Sequence, residues 1–331
     1  MNRTLFMLIA TLCIFLSCTH QYKTIGTIVR INPALDSIIS ANAKVEIIAD
    51  SFDWSEGPLW IEDKKMLLFS DIPANTVYKW TEEKGKEIYL KPSGYSSTMP
   101  RGGEIGSNAL LLNKEGKLIL CQHGDRRIAM MMANIDTPSA SYKTIAAYYE
   151  DKKFNSPNDA VYRSNGDLFF TDPPYGLEKN MDDPLKEIPF QGVYKVNASG
   201  QVKLLTDTIT RPNGIAFLPG EKTLLIGNSD ADKPFIYAYE LDANDSLVNP
   251  HIFCNGATLP TSEKGGFDGM KVDKNGNVFA AGPGGVWIFN KGGKPLGEIK
   301  LPERNSNCAL TPDNKTLFIT ADMYVLRVKM R

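Results

Sequence analysis

From about residue 55 onward the chain alternates short apolar runs with polar turns, and one phrase returns six times. A polar residue and a small or polar neighbour open an apolar strand, a turn follows, and a second apolar strand completes the unit. The copies are "SEGPLWIEDKKMLLFSD" (55–71), "GSNALLLNKEGKLILCQH" (106–123), "SPNDAVYRSNGDLFFTD" (156–172), "RPNGIAFLPGEKTLLIGN" (211–228), "GFDGMKVDKNGNVFAAG" (266–282) and "NSNCALTPDNKTLFITAD" (305–322). Their turns carry Glu115-Gly116, Asn165-Gly166, Asn275-Gly276 and Asp313-Asn314. These residue types accept the positive φ that a tight hairpin requires. Segments such as "LFFTD" and "LFIT" are rich in strand formers, and no long helical period interrupts them. Third strands follow at "TVYKW" (76–80), "GVYKV" (192–196), "FIYAYEL" (235–241), "GVWIF" (285–289) and "YVLRV" (324–328).

Repeating units of several short antiparallel strands predict an all-β, six-bladed β-propeller over residues 43–331. A β-sandwich would not account for the sixfold recurrence. One polar residue per unit then lines up: Glu56, Asn108, Asn158, Asn213, Asp268 and Asn307, at intervals of 52, 50, 55, 55 and 39. In a propeller the innermost strand of each blade lines the central channel, so equivalent positions form a ring. A single Asn-Gly or Asp-Gly is ordinarily a turn. Six copies in register before an apolar run point instead to convergence on the axis.

Composition narrows the partners. The chain is 42% apolar and 23% charged, with 37 basic and 38 acidic residues, so neither a nucleic-acid partner nor an anionic-membrane surface is expected. The N-terminus differs: Arg3 precedes an apolar stretch from Leu5 to Leu16, too short to span a bilayer comfortably. Phe15-Leu16-Ser17-Cys18 resembles a bacterial lipoprotein cleavage box, with Phe15 in place of the usual leucine. Residues 1–18 are therefore expected to be a signal peptide ending at a lipidated Cys18, and 19–42 a tether. The expected location is the bacterial envelope, with membrane contact only through that lipid. Cys121, Cys254 and Cys308 show no metal-binding spacing and are expected as buried free thiols.

Two carboxylates among amide oxygens make an oxygen-rich ring. Close carboxylates repel unless one is protonated or a cation lies between them. Oxygen donors suit hard cations such as Ca²⁺, Mg²⁺ or Mn²⁺, with Zn²⁺ also compatible. The three histidines, His20, His123 and His251, make no zinc cluster, and no GxSxG motif supplies a serine nucleophile.

The phrases "SEGPLW", "CQHGDRRIA", "FNSPNDAV", "LFFTDPPYG", "RPNGIAF", "FDGMKVDKNGNVF" and "SNCAL" together resemble the regucalcin, gluconolactonase and luciferin-regenerating family of six-bladed propellers. "SPND" followed by "FTDPPYG" is most like its bacterial gluconolactonase-type branch. The resemblance implies one divalent cation, Ca²⁺ first, at the channel mouth on Glu56, Asn158, Asn213 and Asp268. It also implies hydrolysis of a sugar lactone, with Asp268 as both ligand and general base. Around this set Asn108, His123, Asp159, Asp172 and Tyr175 are candidates for substrate contact. His123 reads equally as a structural histidine, and Arg101 more simply belongs to a Gly-rich loop. Lys153-Phe154-Asn155 followed by Ser156-Pro157 departs from the Arg-Phe-Asn-Asp run of the regucalcin branch, so that branch's substrate contacts do not transfer. A non-catalytic binding propeller on the same face is the competing expectation, since fold alone does not decide function.

The lipid expectation is open to direct test. In a bacterial host fed a palmitate analogue, the full chain should be labelled and Cys18→Ser should not. Unlabelled wild type, or equal labelling of both, would rule out acylation at Cys18.

Overall fold

The second strand of each repeat is apolar on both faces because it is buried on both. In the third repeat Phe169 packs with Val193, Ile215, Leu224 and Ile226, while Phe170 packs with Ile119, Cys121 and Tyr194. Consecutive side chains of a strand point to opposite faces, so "LFF" serves the interfaces with the following and preceding blades at once. This is why "LFFT", "MLLF" and "LILC" read as continuous apolar runs rather than alternating ones.

The structure is a computed structural model that describes residues 21–331, so the expected signal segment and Cys18 lie outside the described residues. It is a six-bladed β-propeller of antiparallel sheets. Blade one runs from its inner strand Ser55–Ile61 through Met66–Asp71 and Thr76–Thr81 to the outer Gly85–Leu90. The other inner strands are Ser107–Leu112, Ala160–Tyr162, Pro212–Phe217, Met270–Val272 and Asn307–Leu310. Helical structure among the described residues is confined to 3₁₀ turns of three to five residues. Apolar clusters fill the seams between adjacent blades, as where Trp60 of blade one stacks on Phe318 of blade six at 5.1 Å.

Closure uses the two ends of the described chain. The last three strands of blade six come from Asn307–Lys329, and its fourth is Val45–Ala49, paired antiparallel to Tyr324–Lys329. The stretch expected as a tether over 19–42 is corrected in part by the fold. Thr27–Arg30 adds a fifth strand to blade five against Pro295–Lys300, and Leu35 and Ile39 are fully buried. Its apolar residues (Ile25, Ile28, Leu35, Ile39) were too sparse to read as a strand, yet they cover the seam between blades five and six.

A hydrogen bond crosses every junction near the axis. Ser70 Oγ donates to Asn108 O (2.9 Å), Ala109 N to Asn158 O (3.1 Å) and Thr171 Oγ1 to Asn213 O (2.7 Å). Phe267 N donates to Asn228 O (2.8 Å), Gly269 N to Ser306 O (2.8 Å) and Ser306 Oγ to Ser55 O (2.7 Å). Backbones must approach closely for this. A Cβ on Gly214 would lie 2.3 Å from Asp268 O, and one on Gly57, whose φ is +53°, would lie 2.1 Å from Asn108 O.

Gly214→Ala should therefore cost about 3 kcal/mol or more in denaturant unfolding, because it drives a methyl into the next blade's backbone. Gly292→Ala, whose Cβ would meet only Asn290 Oδ1 at 3.5 Å, should change stability by about 0.5 kcal/mol or less. Equal effects would show that the approach at Gly214 is not what demands glycine.

Candidate active site

In five of the six phrases the polar residue sits where the inner strand departs from regular pairing, whereas Asn307 is paired in register with Thr320. Register slips fall between Glu56 and Leu59, between Ser107 and Leu110, and between Pro212 and Ile215. Asn158 and Asp268 each lie just ahead of the regular part of the strand, separated from it by Asp159 and Gly269. A bulge turns a side chain away from the sheet face, and the glycine after Glu56, Asn213 or Asp268 lets the neighbouring blade close in behind it. Glu56, Asn108, Asn158, Asn213 and Asp268 thereby line one cavity of about 700 Å³ at a channel mouth. The sixth ring residue, Asn307, lies one layer deeper and lines the cavity at the opposite mouth.

Electrostatics at the ring are those of buried acceptors that outnumber their donors. Glu56 is 2% exposed; its Oε2 accepts from Gly57 N at 2.7 Å and from Asn307 Nδ2 at 3.2 Å. Burial, offset only in part by these bonds, pushes its carboxyl up to about 8. Asp268 is raised well above the usual carboxylate range, by burial first and then by the charge of Glu56. The oxygens Asn108 Oδ1, Asn213 Oδ1 and Asp268 Oδ1 are buried without a hydrogen-bond partner. Leaving such a group unpaired costs about 1–3 kcal/mol. Among the described residues no three His, Cys, Asp or Glu side chains come together. The set is two carboxylates plus amide oxygens, and partnerless acceptors beside mutually repelling carboxylates fit a hard cation.

The orientation of Asn213 is set by its neighbours. Tyr175 OH and Ser229 Oγ are 2.6 Å apart, and Asn213 Nδ2 donates to Ser229 Oγ at 3.4 Å. The amide nitrogen is thus occupied and the oxygen left free. Tyr175 lines the cavity, and so do Trp54, Glu104 and Ser229, which the sequence had not singled out. No repeated motif marks them, because they lie on the loops between strands.

Three other expectations are placed elsewhere. Asp172 is fully buried and spends its carboxylate on the backbone N–H groups of Asn155 (2.8 Å) and Ser156 (2.7 Å), away from the cavity wall. Asp71 makes the same kind of bonds to Asp53 N and Trp54 N in blade one. The aspartate ending "FTD" and "FSD" is therefore a loop-holding residue, and its repetition was the signal for that role. Asp159 faces the opposite mouth, 3.9 Å from Lys271 Nζ. His123 is fully buried behind the wall, its Nδ1 3.5 Å from Glu104 Oε2. Arg101 donates to the carbonyls of Gly124 and Gly176, which makes it a loop clamp. Cys121, Cys254 and Cys308 are buried and free, as expected.

Residues 54–322 match the SMP-30/Gluconolactonase/LRE-like region. The chain belongs to this family. It is 38% identical over 322 residues to a gluconolactonase of Zymomonas mobilis subsp. mobilis, covering 93% of this chain and 87% of that one. The solved structure of a Xanthomonas campestris gluconolactonase superposes with a TM-score of 0.78 at 25% identity, over 95% of this chain and 99% of that one. A calcium-binding regucalcin of Agrobacterium tumefaciens, 18% identical, shares the fold with a TM-score of 0.65 over 86% of this chain and 94% of that one. The family's propeller is thus the frame on which the acidic ring is built.

The raised carboxyls carry a stability consequence. Glu56 holds its proton more tightly in the folded chain, at about 8, than at the ordinary carboxyl value of 4.5. In cation-free buffer its contribution is therefore full below about 4.5 and lost as pH rises through about 8. A cation held beside the carboxyl would take the place of that proton. Millimolar Ca²⁺ should raise the melting temperature more at pH 8 than at pH 5, and an equal or reversed shift in thermal unfolding would contradict the assignment.

Proposed function

We propose that this protein hydrolyses a sugar-acid lactone of the gluconolactone type in the cavity above the ring. One divalent cation, Ca²⁺ first and Mg²⁺, Mn²⁺ or Zn²⁺ as alternatives, is held by Glu56, Asn158, Asn213 and Asp268. The observation that carries this reading is the convergence of two carboxylates and two partnerless amide oxygens on a cavity of about 700 Å³. That volume is within the range of small-ligand sites. The 38% identity to a gluconolactonase over 93% of the chain supports lactone hydrolysis as the reaction.

When bound, the cation supplies Lewis acidity toward a carbonyl oxygen and toward water. Asp268 holds the proton-accepting position, since its Oδ1 has no hydrogen-bond partner and the residue lines the cavity. A water oxygen attacks the lactone carbonyl carbon while its proton passes to Asp268. The ring C–O bond then breaks, and the departing alkoxide recovers a proton to give the open hydroxy acid. Tyr175 and Ser229 present hydroxyls to the substrate, and Asn108 an amide oxygen able to accept from a sugar hydroxyl. The same reading places the enzyme at the bacterial envelope, attached through Cys18.

A pH-stat assay on gluconolactone and a panel of other lactones tests it. Chelation should abolish turnover and cation add-back restore it; full activity after complete cation removal would sink the mechanism. Asp268→Asn should lower kcat by about 10²- to 10⁴-fold while calorimetry still detects cation binding. Undiminished kcat would remove Asp268 as the base.

A further inference from the structure

Beneath the ring the channel contains a side-chain ammonium. Lys271, one-third exposed at the opposite mouth, directs Nζ inward to within 3.0 Å of Met270 O and 3.3 Å of Asn307 Oδ1. Asp159 Oδ2, buried and without a hydrogen-bond partner, lies 3.9 Å from the same nitrogen. Asn307 Oδ1 also accepts from Cys308 N at 2.9 Å. Both donors therefore meet the amide oxygen, and only Nδ2 is left for Glu56 Oε2, at 3.2 Å. An amide turned the other way would set its NH₂ against the ammonium and its oxygen against the Glu56 carboxylate. The side chain has no slack either, since a Cβ on Gly269 would lie 2.0 Å from Asn307 Cγ.

We infer that Lys271 is a positioning residue for the cation site, acting through the Asn307 amide on Glu56. It polarises and orients Asn307, which pins one oxygen of Glu56 and leaves the other to face the ring. Partners beyond the direct ligands orient those ligands and tune affinity in this way. The inference rests on the proposed cation site, and its sign sets it apart from simple electrostatics. A nearby positive charge opposes a second cation, so removing Lys271 should tighten binding if charge alone mattered. If positioning dominates, removal weakens binding.

Calorimetric titration of Ca²⁺ into the full chain decides between them. Lys271→Met should bind Ca²⁺ about tenfold or more weakly, Lys271→Arg should stay near wild type, and Lys271→Met should cost nothing further in an Asn307→Ala background. Tighter or unchanged binding by Lys271→Met overturns the inference while leaving the cation site standing. A wild type that binds none of Ca²⁺, Mg²⁺, Mn²⁺ and Zn²⁺ removes both. Thermal unfolding verifies that each variant is folded. Should Lys271→Met not fold, Lys271→Ser carries the same expectation and the same refutation.

Discussion

The structure depends on the close approach of neighbouring inner strands around the axis. Six blades can share one channel only if each inner strand lies against the backbone of the next, and at Gly57, Gly214 and Gly269 there is no room for a Cβ. The hydrogen bonds that cross each junction, from Ser70 to Asn108 around to Ser306 and Ser55, hold the ring at that spacing. Blade six can close it only by borrowing Val45–Ala49 from the other end of the described chain. The apolar seams add bulk stabilisation, but the backbone contacts determine where each polar residue points.

The site follows from that spacing. A glycine that permits the approach comes directly after Glu56, Asn213 and Asp268, so the same local sequence closes the ring and turns a polar side chain into the channel. Two carboxylates then face one another in a buried place that raises both above their ordinary range. Asn108 and Asn213 add oxygens without donors to satisfy them. Such an arrangement opposes folding locally, and the six seams around it supply the offsetting stability. The same unfavourable electrostatics would favour a positive centre placed between the two carboxylates.

Much of this was legible along the chain because the repeat is strict where the constraint is strict. The polar residue ahead of an apolar run and the doubly apolar second strand recur in every repeat, and they revealed the propeller and the ring. Asp172 illustrates the limit. It resembled a site residue because it adjoins "PPYG", yet it does what Asp71 does, holding the loop that leads into its own blade's inner strand. Asn307 matched the ring by register but faces the layer below, where Lys271 and Glu56 share its amide. Glu104 and Ser229 lie on loops without a repeating pattern, so nothing local announced their place on the cavity wall.

By itself, then, the sequence determined the strand periodicity, the number of blades and the position of one polar residue per inner strand. These are consequences of short-range pattern: alternation, turn chemistry and the demand for glycine at a crowded backbone. Only the tertiary structure decided which of those residues share a cavity, which hold loops, and how residues 27–39 complete the body. The reason is physical. Convergence on the axis joins residues some fifty positions apart through the curvature of the whole ring, and no local window of sequence carries that distance.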